Sequence, residues 1–173
     1  MRDFSITRFY FLSLVLLAIC SCKIQQSALP FTPASSHAAF PQPIGYVNDF
    51  ENILSKKEEK AIRQLLEDHA KKTSDQIAVI TITSINPYDN LKDYTTDLAG
   101  YWRLGQRKYN GVLIALSKDL RQVRISNGSG IVQRLTNEET QKIIDERMIP
   151  EFKDNQYYQG LRQGIEAIIR ELE

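Results

Sequence analysis

The sequence predicts an α/β fold, a three-layer α/β/α sandwich in which a small mixed sheet carries helices on both faces. Residues 76–83 and 111–117 are apolar runs rich in β-branched side chains, which is typical of central strands covered on both faces. Four other segments repeat apolar residues at helical spacing, so each has one stripe that must be buried. Strands that are apolar on both sides need helices on both sides, and this predicts the sandwich.

The first elements of the domain are an extended segment and a capped helix. Residues 45–50 read as a strand that enters the sheet. Ser55 and Glu58 have the spacing of a capping box, in which each side chain bonds the other residue's backbone N–H. The amphipathic helix that follows is predicted to end near Lys72. His69 lies at the edge of its apolar stripe, and we interpret it as a packing residue.

The second helix is predicted between two strands. The strand over residues 76–83 leads into an Asn86–Pro87 turn. A helical period begins near Asp89 or Asn90 and runs to the aromatic pair 101–102, which we interpret as core residues. Gly105 suits the C-terminal end of this helix.

A hairpin and two further helices complete the domain. Residues 111–117 and 122–127 are predicted to pair as antiparallel strands, because the connection between them is short. Residues 136–139 form a second capping box, and its helix is predicted to stop at Pro150. A last helix is predicted from near Asp154.

Two glycines fall on the apolar face of that last helix. Gly160 and Gly164 each cost helix propensity of about 1 kcal/mol. We interpret them as positions where another element packs closely against the helix.

The N-terminus has the pattern of a lipoprotein signal peptide over residues 1–21. A basic start precedes the apolar run 9–19, which is too short to span a bilayer as a helix. Cys22 follows Ser21 and resembles the bacterial lipobox cysteine that is acylated after cleavage; Cys20 is the alternative. The sequence therefore predicts a membrane partner through a lipid anchor at Cys22.

The remaining residues divide into a tether and a domain. Residues 22–43 are rich in proline, alanine and serine and have no helical or strand period. Residues 44–173 carry the elements above. The protein has a net charge of +1, and the signal segment accounts for it, so the mature chain is near neutral and no nucleic-acid partner is expected. We expect a protein of the bacterial cell envelope, lipid-anchored and extracytoplasmic, at the periplasmic side or the cell surface.

Common catalytic motifs are missing from the sequence. It contains no Walker A loop, no dinucleotide fingerprint, no paired-histidine or paired-cysteine metal motif and no Gly-x-Ser-x-Gly elbow. The domain has a single histidine, His69, and no cysteine, which argues against zinc and thiol chemistry. These absences favour a protein that is not an enzyme.

Oxygen-bearing side chains at strand ends are the remaining candidates for a site. Asn48, Asp49, Asn110 and Asp119 offer ligands that suit a hard cation such as calcium. Each also has a structural interpretation: Asp49 as a local cap, Asn110 as a turn former and Asp119 as part of the hairpin turn. We expect these residues to share an oxygen-lined notch with the Gly128 turn.

Several motifs together resemble the TPM domain family. They are residues 45–49, Trp102 with Gly105, residues 110–113, and Leu135 with Thr136, and the likeness extends over residues 44–170. The resemblance implies an α/β/α sandwich. Some members bind calcium near the sheet edge or are described as acid phosphatases, and others look like assembly or repair factors. By this likeness Asp49 has the best claim to a metal site.

Two positions depart from the family pattern. Tyr109 stands where relatives often have an acid before Asn-Gly-Val-Leu, and Val132 replaces the acid of a Gly-x-Gly-Leu-Glu motif. Losing two carboxylates removes most of the attraction for a divalent ion. We therefore expect a non-catalytic interaction or assembly module with an envelope protein partner. The alternative is a calcium-binding acid phosphatase of low activity.

Overall fold

The computed structural model describes residues 40–173. The predicted signal peptide, Cys22 and the tether up to residue 39 lie outside the described residues. Within residues 40–173, no helix is both long and apolar enough to cross a membrane.

The described residues form a four-stranded sheet and two helical layers. The strands are β1 (Val47–Asp49), β2 (Gln76–Thr81), β3 (Gly111–Ser117) and β4 (Gln122–Asn127). The helices are α1 (Lys56–Thr73), α2 (Leu91–Tyr101), α3 (Asn137–Ile143), α4 (Ile149–Lys153) and α5 (Tyr157–Leu172), with a π-helical turn Ile144–Met148 between α3 and α4.

The sheet is mixed, as predicted. Its order is β1-β2-β3-β4; β1, β2 and β3 run parallel, and β4 returns antiparallel to β3. One face packs on a core that includes Leu66 of α1 and Ile165 of α5, and the other on a core that includes Leu98 of α2. Helices on both faces confirm the predicted α/β/α sandwich.

Helices α1, α2 and α3 begin at the capping residues that the sequence predicts. Ser55 and Glu58 form the predicted capping box at α1, and Thr136 and Glu139 form the one at α3. The Asn90 side chain accepts a hydrogen bond from the backbone N–H of Asp93 and caps α2. These residues satisfy the N–H groups that a helix leaves unpaired in its first turn.

Pro150 does not stop the third helix, and that prediction is wrong. The backbone continues through the π-helical turn into α4, which ends at Lys153. A proline has no N–H and is tolerated in the first turn of a helix, where that group needs no partner within the helix. In the π-helical turn just before Pro150, the hydrogen-bond spacing widens, and the Ile149 N–H bonds the Ile144 carbonyl. A new helical turn begins there, and Pro150 lies in its first residues.

The last helix begins at Tyr157, three residues after the predicted start, because residues around Asp154 close the end of α4. Its two glycines are close-packing positions, as predicted. An added Cβ at Gly160 would lie 2.4 Å from the Phe152 ring, and one at Gly164 would lie 2.7 Å from the Met148 sulfur. Because these two glycines have no side chain, α4 and the π-helical turn before it can pack closely against α5.

Residues from Phe40 onward already pack against the domain, although the predicted boundary is at residue 44. Phe40 is buried against Tyr94 and Tyr101 of α2, with ring centroids 5.4 and 5.6 Å away. The Trp102 indole N–H donates to the Pro41 carbonyl at 2.8 Å. The last residues of the predicted tether are therefore held by an aromatic cluster that belongs to the core on the α2 side of the sheet.

Candidate functional site

The predicted ligands lie at opposite ends of the parallel strands. Asp49 closes β1 at the carboxyl-terminal end of the sheet, beside Thr81. Asn110 precedes β3 at the amino-terminal end, beside Gln76. Because β2 has six residues that rise about 3.3 Å each, these ends lie roughly 17 Å apart. The expected common notch of Asp49, Asn110 and the Gly128 turn therefore does not exist.

At the carboxyl-terminal end, Asp49 organises the loop that leads into α1. One carboxylate oxygen accepts from the Leu54 N–H at 2.9 Å. The other accepts from the Ile53 N–H at 3.3 Å and from the Thr81 hydroxyl. Asp49 therefore acts as a local cap, the structural interpretation that the sequence left open.

Glu51 joins the same loop to the β3–β4 hairpin. Its carboxylate accepts from the Lys118 N–H at 3.0 Å and from the Asp119 N–H at 3.2 Å. Burial raises the pKa of Glu51, these two hydrogen bonds lower it, and the charges of Asp119 and Asp49 add to the increase. Asp119 itself lies in the exposed hairpin turn. Three carboxylates thus meet at this end, and backbone N–H groups engage two of them.

Asn48 is fully buried and serves the backbone. Its Oδ1 accepts from the N–H of Ile44 at 2.6 Å and of Gly45 at 3.3 Å, and its Nδ2 donates to the carbonyls of Gly45 and Val79. An amide with both ends engaged has little capacity for a metal ion. This predicted ligand fixes the start of β1 against β2.

An ion pair between a buried carboxylate and a partly exposed guanidinium occupies the amino-terminal end of the sheet. Asp75, with a side chain only 4% exposed, bonds the Arg134 guanidinium through two contacts of 2.8 and 3.0 Å. The Asn110 Nδ2 donates to Asp75 at 2.9 Å and to the Ser74 carbonyl at 3.0 Å. Burial alone would raise the pKa of Asp75, but the bonds from Arg134 and Asn110 outweigh it, and the pKa lies below its ordinary value.

His69 lies close to this ion pair and is buried, as predicted for a packing residue. Its Nε2 lies 3.3 Å from the Thr73 hydroxyl, and its Nδ1 has no hydrogen-bond partner among residues 40–173. Burial lowers the pKa of His69, which favours the neutral ring.

A cavity of about 310 Å³ lies at the same end of the sheet. It opens between the C-terminal half of α2, the turn over residues 103–110 and the last residues of β4. Close backbone packing fixes its walls. Gly105 has φ +66°, and an added Cβ there would lie 2.1 Å from the Gly111 nitrogen; one at Gly128 would lie 2.2 Å from the Tyr109 carbonyl oxygen. Only glycine permits these approaches.

The four predicted metal ligands therefore do not form one site. Asp49 and Asp119 lie at one end of the sheet, Asn110 lies at the other, and Asn48 is buried between strands. In the part of the protein that the structure describes, no group of three or more His, Cys, Asp or Glu side chains is arranged to hold a metal ion.

Sequence reasoning missed three residues of these two regions: Glu51, Asp75 and Arg134. Asp75 directly precedes a buried strand, so its position was a usable signal. Its partner Arg134 is 59 residues away, and no local pattern connects the two. Glu51 and the turn that it bonds are similarly distant in sequence.

Comparisons with known proteins agree with this architecture. The sequence model described as the TPM domain matches residues 47–171. The solution structure of the N-terminal domain of a protein from P. gingivalis is 34% identical, with a TM-score of 0.68 over 73% of this chain and 81% of that one. No functionally curated protein matches the sequence.

Two further solution structures are similar. The BA42 protein from the psychrophilic bacterium Bizionia argentinensis is 26% identical, with a TM-score of 0.62 over 71% of this chain and 83% of that one. The N-terminal domain of the cg2496 protein from Corynebacterium glutamicum has a TM-score of 0.58 over 83% of this chain and 89% of that one. At 14% identity, this last likeness shows the fold alone.

Proposed function

This chain belongs to the TPM domain family, and on that basis we propose that it is a non-catalytic interaction or assembly module of the bacterial cell envelope. A lipid on Cys22 would hold it at a membrane, and an envelope protein would be its partner. The observation that carries the proposal is that no carboxylate lines the cavity at the amino-terminal end of the sheet among the described residues.

One of the two replaced positions, Tyr109, lines this cavity, and the other, Val132, lies close to it in the chain fold. The family resemblance implies acids at the positions of Tyr109 and Val132. The Gly130 N–H bonds the Tyr109 carbonyl at 2.9 Å, and Val132 follows two residues later, so the two positions are neighbours. The nearby carboxylate, Asp75, is neutralised by Arg134. Among the described residues that line the cavity, a divalent cation would meet the Tyr109 ring and the Arg103 guanidinium, and neither attracts it.

The second candidate is a calcium-binding acid phosphatase of low activity, at the other end of the sheet. What favours it is the proximity of Asp49, Glu51 and Asp119, whose charges influence one another. Asp49 would be the main ligand, with Asp119 as a helper. Against it stand the backbone N–H groups of Leu54 and Lys118, because a cation would have to displace donors that already bond Asp49 and Glu51.

Thermal unfolding with and without calcium separates the two candidates. A ligand that binds only the native state raises the melting temperature. We expect no shift at millimolar calcium and no hydrolysis of p-nitrophenyl phosphate by the full-length protein. A shift that disappears in Asp49→Ala, together with turnover, would establish the phosphatase and refute the non-catalytic module. Asp68→Ala, on the exposed side of α1, is the matched control.

The anchor has its own test. We expect intact-mass analysis of the membrane-purified protein to show cleavage before Cys22 and acylation on that residue. Cys22→Ser should abolish both, whereas Cys20→Ser should leave them unchanged. A protein that is cleaved without acylation would contradict the lipid anchor.

A further inference from the structure

Building on the proposed function, we propose that the cavity beside α2 binds a carboxylate group of the partner protein. The carboxylate belongs either to an acidic side chain or to the C-terminus of the partner. Arg103 receives it, and the Tyr109 ring packs against the apolar part of the residue that bears it.

Among the described residues that line the cavity, Arg103 is the only one with a charged side chain. Its polar neighbours Gln106 and Ser126 are neutral. Within residues 40–173, Arg103 forms no ion pair and no side-chain hydrogen bond. A guanidinium that is unpaired in a concave site presents a planar fork of donors, and this fork matches a carboxylate in a bidentate geometry.

The charges around the cavity support an anionic occupant. Arg107 and Lys108 follow Arg103 on the same turn, and residues 103–110 contain no acid. The nearby Asp75 is already neutralised by its own arginine. A cation would therefore be repelled from this end of the sheet, whereas an approaching anion would be attracted.

The end of α2 sets the amount of negative charge that the site accepts. The helix ends at Tyr101, and Gly100 lines the cavity, so the negative end of its dipole lies beside Arg103. That end is equivalent to roughly half a negative charge, which offsets part of the arginine charge. The helix end repels a phosphate dianion more strongly than a singly charged carboxylate. This favours a carboxylate over a phosphate dianion.

Tyr109 has the properties of an interface anchor. Its residue is 67% exposed, which is unusual for a large aromatic side chain, and its backbone adopts φ +53°. The Gly130 N–H bond and the close approach of Gly128 hold this backbone in place. A rigidly presented aromatic ring loses little conformational entropy on binding, and such residues are common at interface hot spots.

The test uses the isotope-labelled full-length protein in detergent micelles and follows its backbone amide resonances. The probes are the blocked peptides acetyl-Ala-Phe-Asp-amide and acetyl-Ala-Phe-Asn-amide, acetyl-Ala-Phe with a free C-terminus, and inorganic phosphate. We expect both carboxylate peptides to shift the amides of Gly100, Gly111 and Gly128 with a Kd on the order of 1 mM. The asparagine peptide should bind at least tenfold more weakly. The tighter of the two carboxylate peptides identifies the source.

Substitutions on one turn provide the controls. Arg103→Gln should weaken the carboxylate peptides at least tenfold, and Arg103→Lys, which keeps the charge without the fork, should weaken them less. Arg107→Gln should weaken them less than twofold, because Arg107 does not line the cavity and its charge acts only through screened long-range attraction. Arg103 is exposed, so these variants should retain the dispersed amide spectrum of the native protein.

Three results would overturn the site: no saturable shift, equal binding by Arg103→Gln, or tighter binding of phosphate than of either carboxylate. Such a result, with calcium and p-nitrophenyl phosphate still without effect, removes the carboxylate site and leaves the non-catalytic module intact. A calcium shift together with turnover refutes the module itself, whatever the peptides do.

Discussion

The two ends of the sheet both carry carboxylates, but they use them differently. At the carboxyl-terminal end, Asp49 and Glu51 accept hydrogen bonds from neutral backbone N–H groups. At the amino-terminal end, Asp75 is buried and bonds a guanidinium. The first arrangement keeps its negative charge, whereas the second cancels it.

This difference shows why residue type alone does not identify a metal site. All three carboxylates have the oxygen chemistry that calcium prefers. Asp75 has lost its net attraction for a cation, and Asp49 and Glu51 have their lone pairs engaged by loops that they hold in place. Substitutions of these three carboxylates should therefore have different effects at the ion pair and at the two loops.

The largest expected effect is at the ion pair. We expect Asp75→Ala to lower the free energy of unfolding by about 3 kcal/mol, because it removes the acceptor of three hydrogen bonds from Asn110 and Arg134. Urea unfolding measures the loss, and Asp68→Ala should cost less than about 0.5 kcal/mol. In a double-mutant cycle, adding Arg134→Met should cost little more. Additive losses would show that the pair is not coupled.

Asp49→Ala should have the second largest effect, about 2 kcal/mol. The substitution removes the acceptor of two backbone N–H groups and of the Thr81 hydroxyl. Thr81→Val removes one of these bonds and also the acceptor of the Glu51 N–H, and it should cost less than Asp49→Ala. If the two variants were equally stable in urea, Asp49 would not be the clamp of the α1 loop.

Glu51→Gln should cost less, about 1 kcal/mol, because its carboxylate bonds are solvent-exposed. The effect should be local. We expect amide hydrogen exchange at Lys118 and Asp119 to become about fivefold faster, while the amide of Ile114 in the centre of β3 keeps its rate. Glu171→Gln, at the exposed end of α5, serves as the control. Unchanged exchange in the hairpin would contradict the bridge.

The smallest expected effect is in the pH dependence. Since the pKa of Asp75 is lower in the folded protein, its stabilisation is present above its unfolded value of about 3.9 and is lost as pH falls through the folded value. Asp75→Asn should therefore differ most from the wild type near neutral pH and converge with it below about pH 4. Melting temperatures from pH 7 to 3 measure this. A constant difference would show that folding does not change the pKa of Asp75.

Local patterns predicted most of the fold. The capping boxes at Ser55 and Thr136 and the apolar runs of β2 and β3 gave the elements within a few residues. The predicted helix end at Pro150 was wrong, because a proline ends a helix only where it interrupts a helical turn. Here the π-helical turn places Pro150 at the beginning of a turn. Phe40 was missed because its partners on α2 are distant in sequence.

The candidate site was less predictable, although part of it was within reach. Asp49 ends one parallel strand and Asn110 precedes another, and in a parallel sheet these positions face opposite ends. Asking whether each residue precedes or follows its strand would have separated them. The partners of Asp75 and Glu51 could not be found in this way, because they come from other elements.

The sequence by itself determined the helices, the strands and the layered sandwich, since periodicity and caps act within a few residues of one another. Only the tertiary structure decided which carboxylate meets a guanidinium and which meets backbone N–H groups. It also left Arg103 and Tyr109 beside an open cavity. The reason is physical: the charge that a carboxylate presents depends on its nearest neighbours in space, and strand order and direction bring those neighbours from distant parts of the sequence.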